Sequence, residues 1–368
     1  MVTPPREKLQ TSYDISQIPP FVVRADGKTL DGTLINLSAN ESPFGPSPKA
    51  IQAIADQQSN INRYPDMHAL ELKRAIADLN GLDPLRIVCA NGSDSILFYL
   101  ALAYASRDHE IIMSKYSFIM FRRAALSTGA IPIVVEENDF TFSVANALAA
   151  VTEKTRILFV ANPNNPTGSF ISGDELIRLR KELPSYVLLV IDDAYQEYAK
   201  SRGCPNGLDI GKEWDNVVVT RTMSKIYGLA ALRVGWAYAS QEVANNLNRL
   251  RQPFNMGTMA QKAALAALGD QEFVLRNVKH NQEWQSYLVK QLNNLGLNIL
   301  PSAGNFITVR FPNDKKHNAS KAMAFLHKRK IIPRTTADYG MPDFMRITVG
   351  LEGENIALVS ALKEFLES

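Results

Sequence analysis

Val217-Val218-Val219-Thr220-Arg221-Thr222-Met223-Ser224-Lys225, continued by Ile226-Tyr227-Gly228-Leu229-Ala230-Ala231-Leu232-Arg233-Val234-Gly235, is the stretch on which the reading of this chain turns. The β-branched run Val217–Thr220 reads as a buried strand, and it leads straight into a hydroxyl-rich turn that ends on one lysine among small and apolar residues. An amine with few carboxylates around it and a cation nearby, here Arg221 or Arg233, has its neutral form favoured, and only a neutral amine attacks an aldehyde. The hydroxyls of Thr222 and Ser224, with the guanidinium of Arg233, would seat a phosphate beside it. A lysine, a phosphate seat and an arginine together point to pyridoxal phosphate held as a Schiff base. Taken alone, the stretch reads as well as a surface lysine following a strand.

Outward from there, strands and helices alternate. Apolar strands are expected at Arg86–Ala90, Glu110–Met113, Ile131–Val135, Arg156–Ala161 and Tyr186–Ile191, with helical patterns between most of them. That is an α/β domain with a mostly parallel sheet. Ser47-Pro48 starts a helix towards Gln58, a second helix stops near Asn80-Gly81, and Ser95–Ala105 is an apolar helix. Residues 1–45 carry many prolines and little periodicity and read as an arm. Residues 46–250 are expected to form the large domain. Residues 251–368 are expected to form a smaller α+β domain with strands at Asn305–Phe311 and Met345–Val349 and a helix across Ser320–Lys330.

In parallel sheets the ligand lies beyond the carboxyl ends of the strands, so the residues after each strand carry the chemistry. After the first comes Asn91-Gly92-Ser93-Asp94, a glycine turn opening a helix, which suits a phosphate or is simply a tight connection with a capping residue. Tyr116 has the size to stack on a flat ring, or to fill core. Asn162-Pro163-Asn164-Asn165-Pro166-Thr167-Gly168 is a polar turn held by two prolines, with Asn165 as donor or acceptor. In Asp192-Asp193-Ala194-Tyr195, a carboxylate ends a buried strand, which is costly without a positive partner. A protonated pyridine nitrogen would be one. A helix cap or structural ion pair for Asp192 and a packed aromatic for Tyr195 are the plainer readings.

Composition narrows the field. The 368 residues are 46% hydrophobic with a net charge of +3, enough for a large core and too little basic character for a nucleic-acid footprint. Cys89 and Cys204 are the two cysteines, so no disulfide framework or cysteine-rich metal site is expected and a reducing cytoplasm fits. No signal core or membrane-length apolar stretch is visible, and the expected partners are small molecules.

In order, Gly92-Ser93-Asp94, Tyr116, Asn165-Pro166-Thr167-Gly168, Asp192-Asp193-Ala194-Tyr195, Ser224-Lys225 and Arg233-Val234-Gly235 resemble the fold type I pyridoxal-phosphate aminotransferases, and most of all their histidinol-phosphate aminotransferase branch. The resemblance extends from Leu37-Ser38-Ala39-Asn40-Glu41-Ser42-Pro43 and Arg63-Tyr64-Pro65-Asp66 to Tyr339-Gly340-Met341-Pro342-Asp343-Phe344-Met345-Arg346-Ile347-Thr348-Val349-Gly350. It implies an aspartate-aminotransferase-like fold, a large cofactor domain with a mostly parallel sheet, and pyridoxal 5′-phosphate. By the same resemblance, Lys225 carries the cofactor and moves the proton, Asp192 keeps its ring nitrogen protonated, and Asn165 and Tyr195 hold its phenolic oxygen. Gly92, Ser93, Thr222, Ser224 and Arg233 hold its phosphate, and Tyr64 reaches that phosphate from the neighbouring subunit of a homodimer.

Substrate residues follow in the same way. Arg346 resembles the arginine that clamps the α-carboxylate, Arg334 one that meets a distal anion, and Asn40 stands with them on the substrate side. The histidinol-phosphate enzymes usually carry an arm tyrosine aimed at the substrate phosphate, where this chain has Phe21 in Pro19-Pro20-Phe21-Val22-Val23, with Tyr13 as a possible substitute. The resemblance therefore implies transamination between histidinol phosphate and 2-oxoglutarate. It leaves open an aromatic aminotransferase and a decarboxylase of the threonine-phosphate type on the same scaffold.

Overall fold

The computed structural model describes Thr11, residues 15–18 and residues 34–368. Its strands in chain order are β1 (Ile35–Asn36), β2 (Ile87–Ala90), β3 (Glu110–Ser114), β4 (Ile131–Val135) and β5 (Thr155–Ala161). Then come β6 (Leu188–Asp192), β7 (Val217–Thr222), β8 (Gly235–Tyr238) and β9 (Asn298–Leu300). The last four are β10 (Phe306–Arg310), β11 (Ile331–Ile332), β12 (Arg334–Thr335) and β13 (Phe344–Thr348).

Seven of them form the main sheet, in the order β2-β8-β7-β6-β5-β3-β4. All neighbours from β7 to β4 pair in parallel, and β8 runs antiparallel to both β7 and β2. The sequence pattern explains the burial. Alternate residues enter two cores: Ile87, Cys89, Val217 and Val219 belong to one, and Val88, Ala90 and Val218 to the other. A strand covered on both faces needs an unbroken apolar run, which is what Val217–Val219 supplies.

Local signals hold where they are chemical. Ser47 caps the helix Pro48–Ala55 by accepting from Ala50 N–H, with Pro48 in the first turn, and Gly81 ends the helix Leu70–Asn80 in the left-handed conformation at φ 61°. The helix after β2 starts at Ser93 and runs to Tyr104. Strand β8 was not anticipated. It is four residues long and is separated from β7 by one 3-10 turn, Ala230–Leu232, in place of the helix that a parallel crossover requires.

A second sheet, β12-β13-β10-β9, is antiparallel, and its core joins Ile307, Val309, Met345 and Ile347 to Leu358 and Leu362 of the helix Glu352–Glu367. Leu37 is buried in the same core, and β1 pairs in parallel with β11, so the end of the stretch read as an arm is built into this part of the molecule. Beyond residue 250, the helix Thr258–Leu268 buries Ala260, Ala263, Ala264 and Ala267 in the core of the main sheet.

Candidate active site

The carboxyl ends of β2, β5, β6 and β7, with the segment after β3, converge on a cavity of about 250 Å³. Ser93 and Asp94, Phe118, Asn165, Asp192 and Tyr195, Thr222, Ser224 and Lys225, Arg233, and Ala39 and Glu41 line it. Residues scattered from 39 to 233 meet because strands of similar register end in one row.

Lys225 is half-buried, and its Nζ donates to Ala39 O at 2.9 Å. Desolvation, then the guanidinium of Arg346 and more weakly that of Arg233, lower its pKa to about 8 against the opposing pull of Asp94 and Glu41. Arg221 takes no part. It lies on the far side of β7 in a buried ion pair with Asp193 at 3.3 Å, donating also to Asn206 Oδ1 at 2.7 Å.

Asp192 is buried, accepts from Thr220 Oγ1 at 3.1 Å, and has no ion-pair partner among the described residues. Desolvation, with Asp94 and Asp193 nearby, pushes its pKa up to about 7. The Tyr195 hydroxyl accepts from Asn40 Nδ2 at 2.9 Å, which leaves its own proton for the cavity.

At the other end of the cavity, Gly92 stands at φ 84° before the first turn of the helix Ser93–Tyr104 and supplies no capping side chain. The first N–H groups of that helix are therefore open to an anion. A Cβ on Gly92 would come 2.5 Å from Arg233 Nη2, and one on Gly235, which opens β8, would come 2.1 Å from Ser93 N. Both glycines are there for close approach. Arg233, itself left-handed at φ 52°, donates to Ser224 Oγ at 3.3 Å and pairs with Asp94 at 3.4 Å. Thr222 Oγ1 accepts from Ser224 N–H at 3.1 Å and donates to Val234 O at 3.5 Å, so its proton is already used.

Arg346 reaches the site from β13. It is buried, its Nη1 donates to Asn165 Oδ1 at 2.5 Å and its Nη2 to Ser38 O at 2.5 Å, and its Nε has no partner. No carboxylate pairs with it among the described residues. Arg334 is its cross-strand neighbour but is held in an ion pair with Asp338 and does not line the cavity.

Two expectations change, those for Tyr116 and Asn40. Tyr116 does not line the cavity: its ring packs on Phe140 at 5.5 Å, and Phe118, two residues on, is the aromatic that faces the site. Asn40 is buried and does not line the cavity: its side chain is shared between Tyr195 and Thr348 and its carbonyl is held by Asn305, so it supports the site from behind. Tyr64 lies away from this cavity, 81% exposed and stacked on Phe254 at 4.5 Å. Phe21 and Tyr13 are outside the described residues. Phe118, Asp94 and Glu41 were missed as site residues, although Asp94 and Glu41 each sit inside a quoted motif.

An α/β body with a lysine of lowered pKa and a buried carboxylate at the strand ends, and a buried arginine bonded to Asn165 beside them, is an arrangement that suits chemistry on an amine. The chain belongs to the aminotransferase class I and II family, which it matches over residues 32–362. It is 46% identical over 354 residues to the histidinol-phosphate aminotransferase of Paramagnetospirillum magneticum, across 96% of this chain and 97% of that protein. To the histidinol-phosphate aminotransferase of Maricaulis maris it is 42% identical over 334 residues, 91% of this chain and 92% of that one. The crystal structure of histidinol-phosphate aminotransferase from Sinorhizobium meliloti in complex with pyridoxal-5′-phosphate superposes with a TM-score of 0.85 at 28% identity, over 90% of this chain and 91% of that one.

Proposed function

We propose that the protein transfers the amino group of histidinol phosphate to 2-oxoglutarate, with pyridoxal 5′-phosphate carried on Lys225. The observation that carries this reading is the pairing, in one cavity, of Lys225 with Asp192, a buried carboxylate that lacks a cation. A protonated pyridine nitrogen is the cation Asp192 lacks, and the open helix start at Ser93, with Ser224 and Arg233, fits a phosphate. When bound, the cofactor supplies an electron sink for the bond broken at the amine-bearing carbon.

The residues of the chain supply the rest. Lys225 Nζ, with a pKa near 8, is a carbonyl-reactive amine and, when free, a base of suitable strength for the proton on the substrate carbon. Asn165 has its oxygen engaged by Arg346 and Tyr195 has its oxygen engaged by Asn40, so Asn165 Nδ2 and the Tyr195 hydroxyl are left to donate to the ring's phenolic oxygen. Phe118, which lines the cavity where Tyr116 does not, would cover the ring face.

Histidinol phosphate has no α-carboxylate. A CH2-O-phosphate group takes the place of glutamate's α-carboxylate on the amine-bearing carbon, so both anions would come in turn towards Arg346 and its unpaired Nε, the phosphate standing further out. Arg334, one strand over, is kept as a second anion contact once Asp338 is displaced.

The assembly belongs to the same proposal. Tyr64 and Phe254, stacked and exposed, offer an apolar contact suited to a second copy, and Tyr64 would reach that copy's phosphate seat. The division into 46–250 and 251–368 is kept with one change: the helix Thr258–Leu268 goes with the cofactor domain, where it is buried. Free Cys89 and Cys204 fit a cytoplasmic setting, and among the described residues no helix is long and apolar enough to cross a membrane.

The test is a donor panel with 2-oxoglutarate as acceptor. Histidinol phosphate should give a kcat/KM roughly a hundredfold or more above that of phenylalanine, because a site built for a buried polar partner discriminates strongly against its absence. A higher value for phenylalanine would sink the assignment.

A further inference from the structure

We infer that Glu41 selects the amino donor: its carboxylate accepts a hydrogen bond from a ring N–H of the donor's imidazole and repels the distal carboxylate of the acceptor. This rests on the donor assigned above.

The backbone at Glu41 is fixed by its neighbours, and its side chain is exposed. Asn40 stands in the left-handed region at φ 54°, a conformation that costs a non-glycine residue on the order of 1 kcal/mol and persists only where its surroundings impose it. They do so here. Asn40 N–H donates to Thr348 Oγ1 at 2.9 Å, its side chain donates to Tyr195, and Asn305 Nδ2 donates to the carbonyls of both Asn40 and Glu41, at 2.9 and 3.3 Å. On one side of this turn Ala39 O meets Lys225 Nζ, and on the other Glu41 lines the cavity.

Every other charged group around the cavity has a use. Asp94 pairs with Arg233, Asp192 would face the ring nitrogen, and Arg346 would take the anionic end of the substrate. The Glu41 carboxylate makes no ion pair or hydrogen bond among the described residues, and it acts electrostatically on Lys225. With the donor's amine at the cofactor and its phosphate at Arg346, the third substituent on the same carbon is an imidazolylmethyl group, a ring that offers an N–H and is cationic when protonated. In the acceptor, that place is taken by a chain ending in a carboxylate. One carboxylate on the wall therefore attracts the first and disfavours the second.

Glu41→Gln keeps the shape and removes the charge. Its KM for histidinol phosphate should rise roughly ten- to hundredfold, the range of a lost charged hydrogen bond, while its KM for 2-oxoglutarate falls. Glu41→Asp, which keeps the charge, should stay within a few-fold of wild type for both. General damage to the site moves both constants the same way, so only the crossed response supports the inference. Equal shifts, no shift, or an aspartate variant that behaves like the glutamine one would overturn it. A wild-type protein that does not turn over histidinol phosphate refutes the donor assignment instead, so the two failures are told apart.

Discussion

Before any cofactor binds, Asp192 is a carboxyl group folded into a place that disfavours its charge. Its pKa of about 7 lies above the ordinary 3.8, so the folded state holds this proton more tightly than the unfolded state does. Stability from that source is present below about pH 4 and is lost as the pH rises towards 7. Cofactor-free Asp192→Asn should therefore be more stable than wild type at pH 8, on the order of 1 kcal/mol or more, and the gain should vanish as the pH is lowered to 4. Denaturant titrations at both pH values measure this, and a gain that is constant across the range would mean the shift is not there. Residues of this kind were legible in the sequence because each follows directly on a buried strand. Phe118 was not, because Tyr116 and Phe118 are equally good aromatics in an irregular stretch, and only the turn closed by Ser117 N–H on Ser114 O decides which one faces inward. Glu41 was hidden for a different reason: its orientation depends on Asn40 being held by Thr348, a contact no local pattern encodes.

At the scale of elements, the join between β8 and the turn at Gly92-Ser93 is where packing and binding meet. Gly235 needs its missing side chain for room, since a Cβ there would lie 2.3 Å from Gly92 C as well as against Ser93 N. Gly235→Ala should push that turn out of place at a packing cost of ~1–3 kcal/mol and weaken cofactor affinity at least roughly tenfold. A cofactor titration beside a thermal melt separates the two effects. Affinity left intact with a lowered Tm would show that the turn tolerates the push and that it is not the phosphate seat. The parallel strands were readable from their apolar runs; β8, β9, β11 and β12 were not. Each is two to four residues long and exists through its partner: β12 pairs only with β13, and β8 bridges two strands that the chain visits more than a hundred residues apart.

For the whole molecule, the exposed Tyr64 sets a test that a monomer cannot pass. Lys225→Ala and Tyr64→Ala should each be impaired alone, but in the proposed assembly a mixed dimer would contain one site with Lys225 from one subunit and Tyr64 from the other. Random reassembly of the two variants from separated subunits should recover up to about a quarter of wild-type turnover, since half of the dimers are mixed and each has one intact site. No recovery, in a mixture proven by sedimentation to contain mixed dimers, would place both residues in the same site. The feature with the longest reach is the smallest one, the pairing of β1 with β11, in which Ile35 lies beside Ile331 and Leu37 enters the core of the second sheet. On the ribosome these first strand residues emerge about 300 residues ahead of their partner, while the main sheet between them can be made and closed. The second core thus has its opening piece in hand from the start and must wait for nearly the whole chain, so the order of synthesis makes it the last part of the protein to become native.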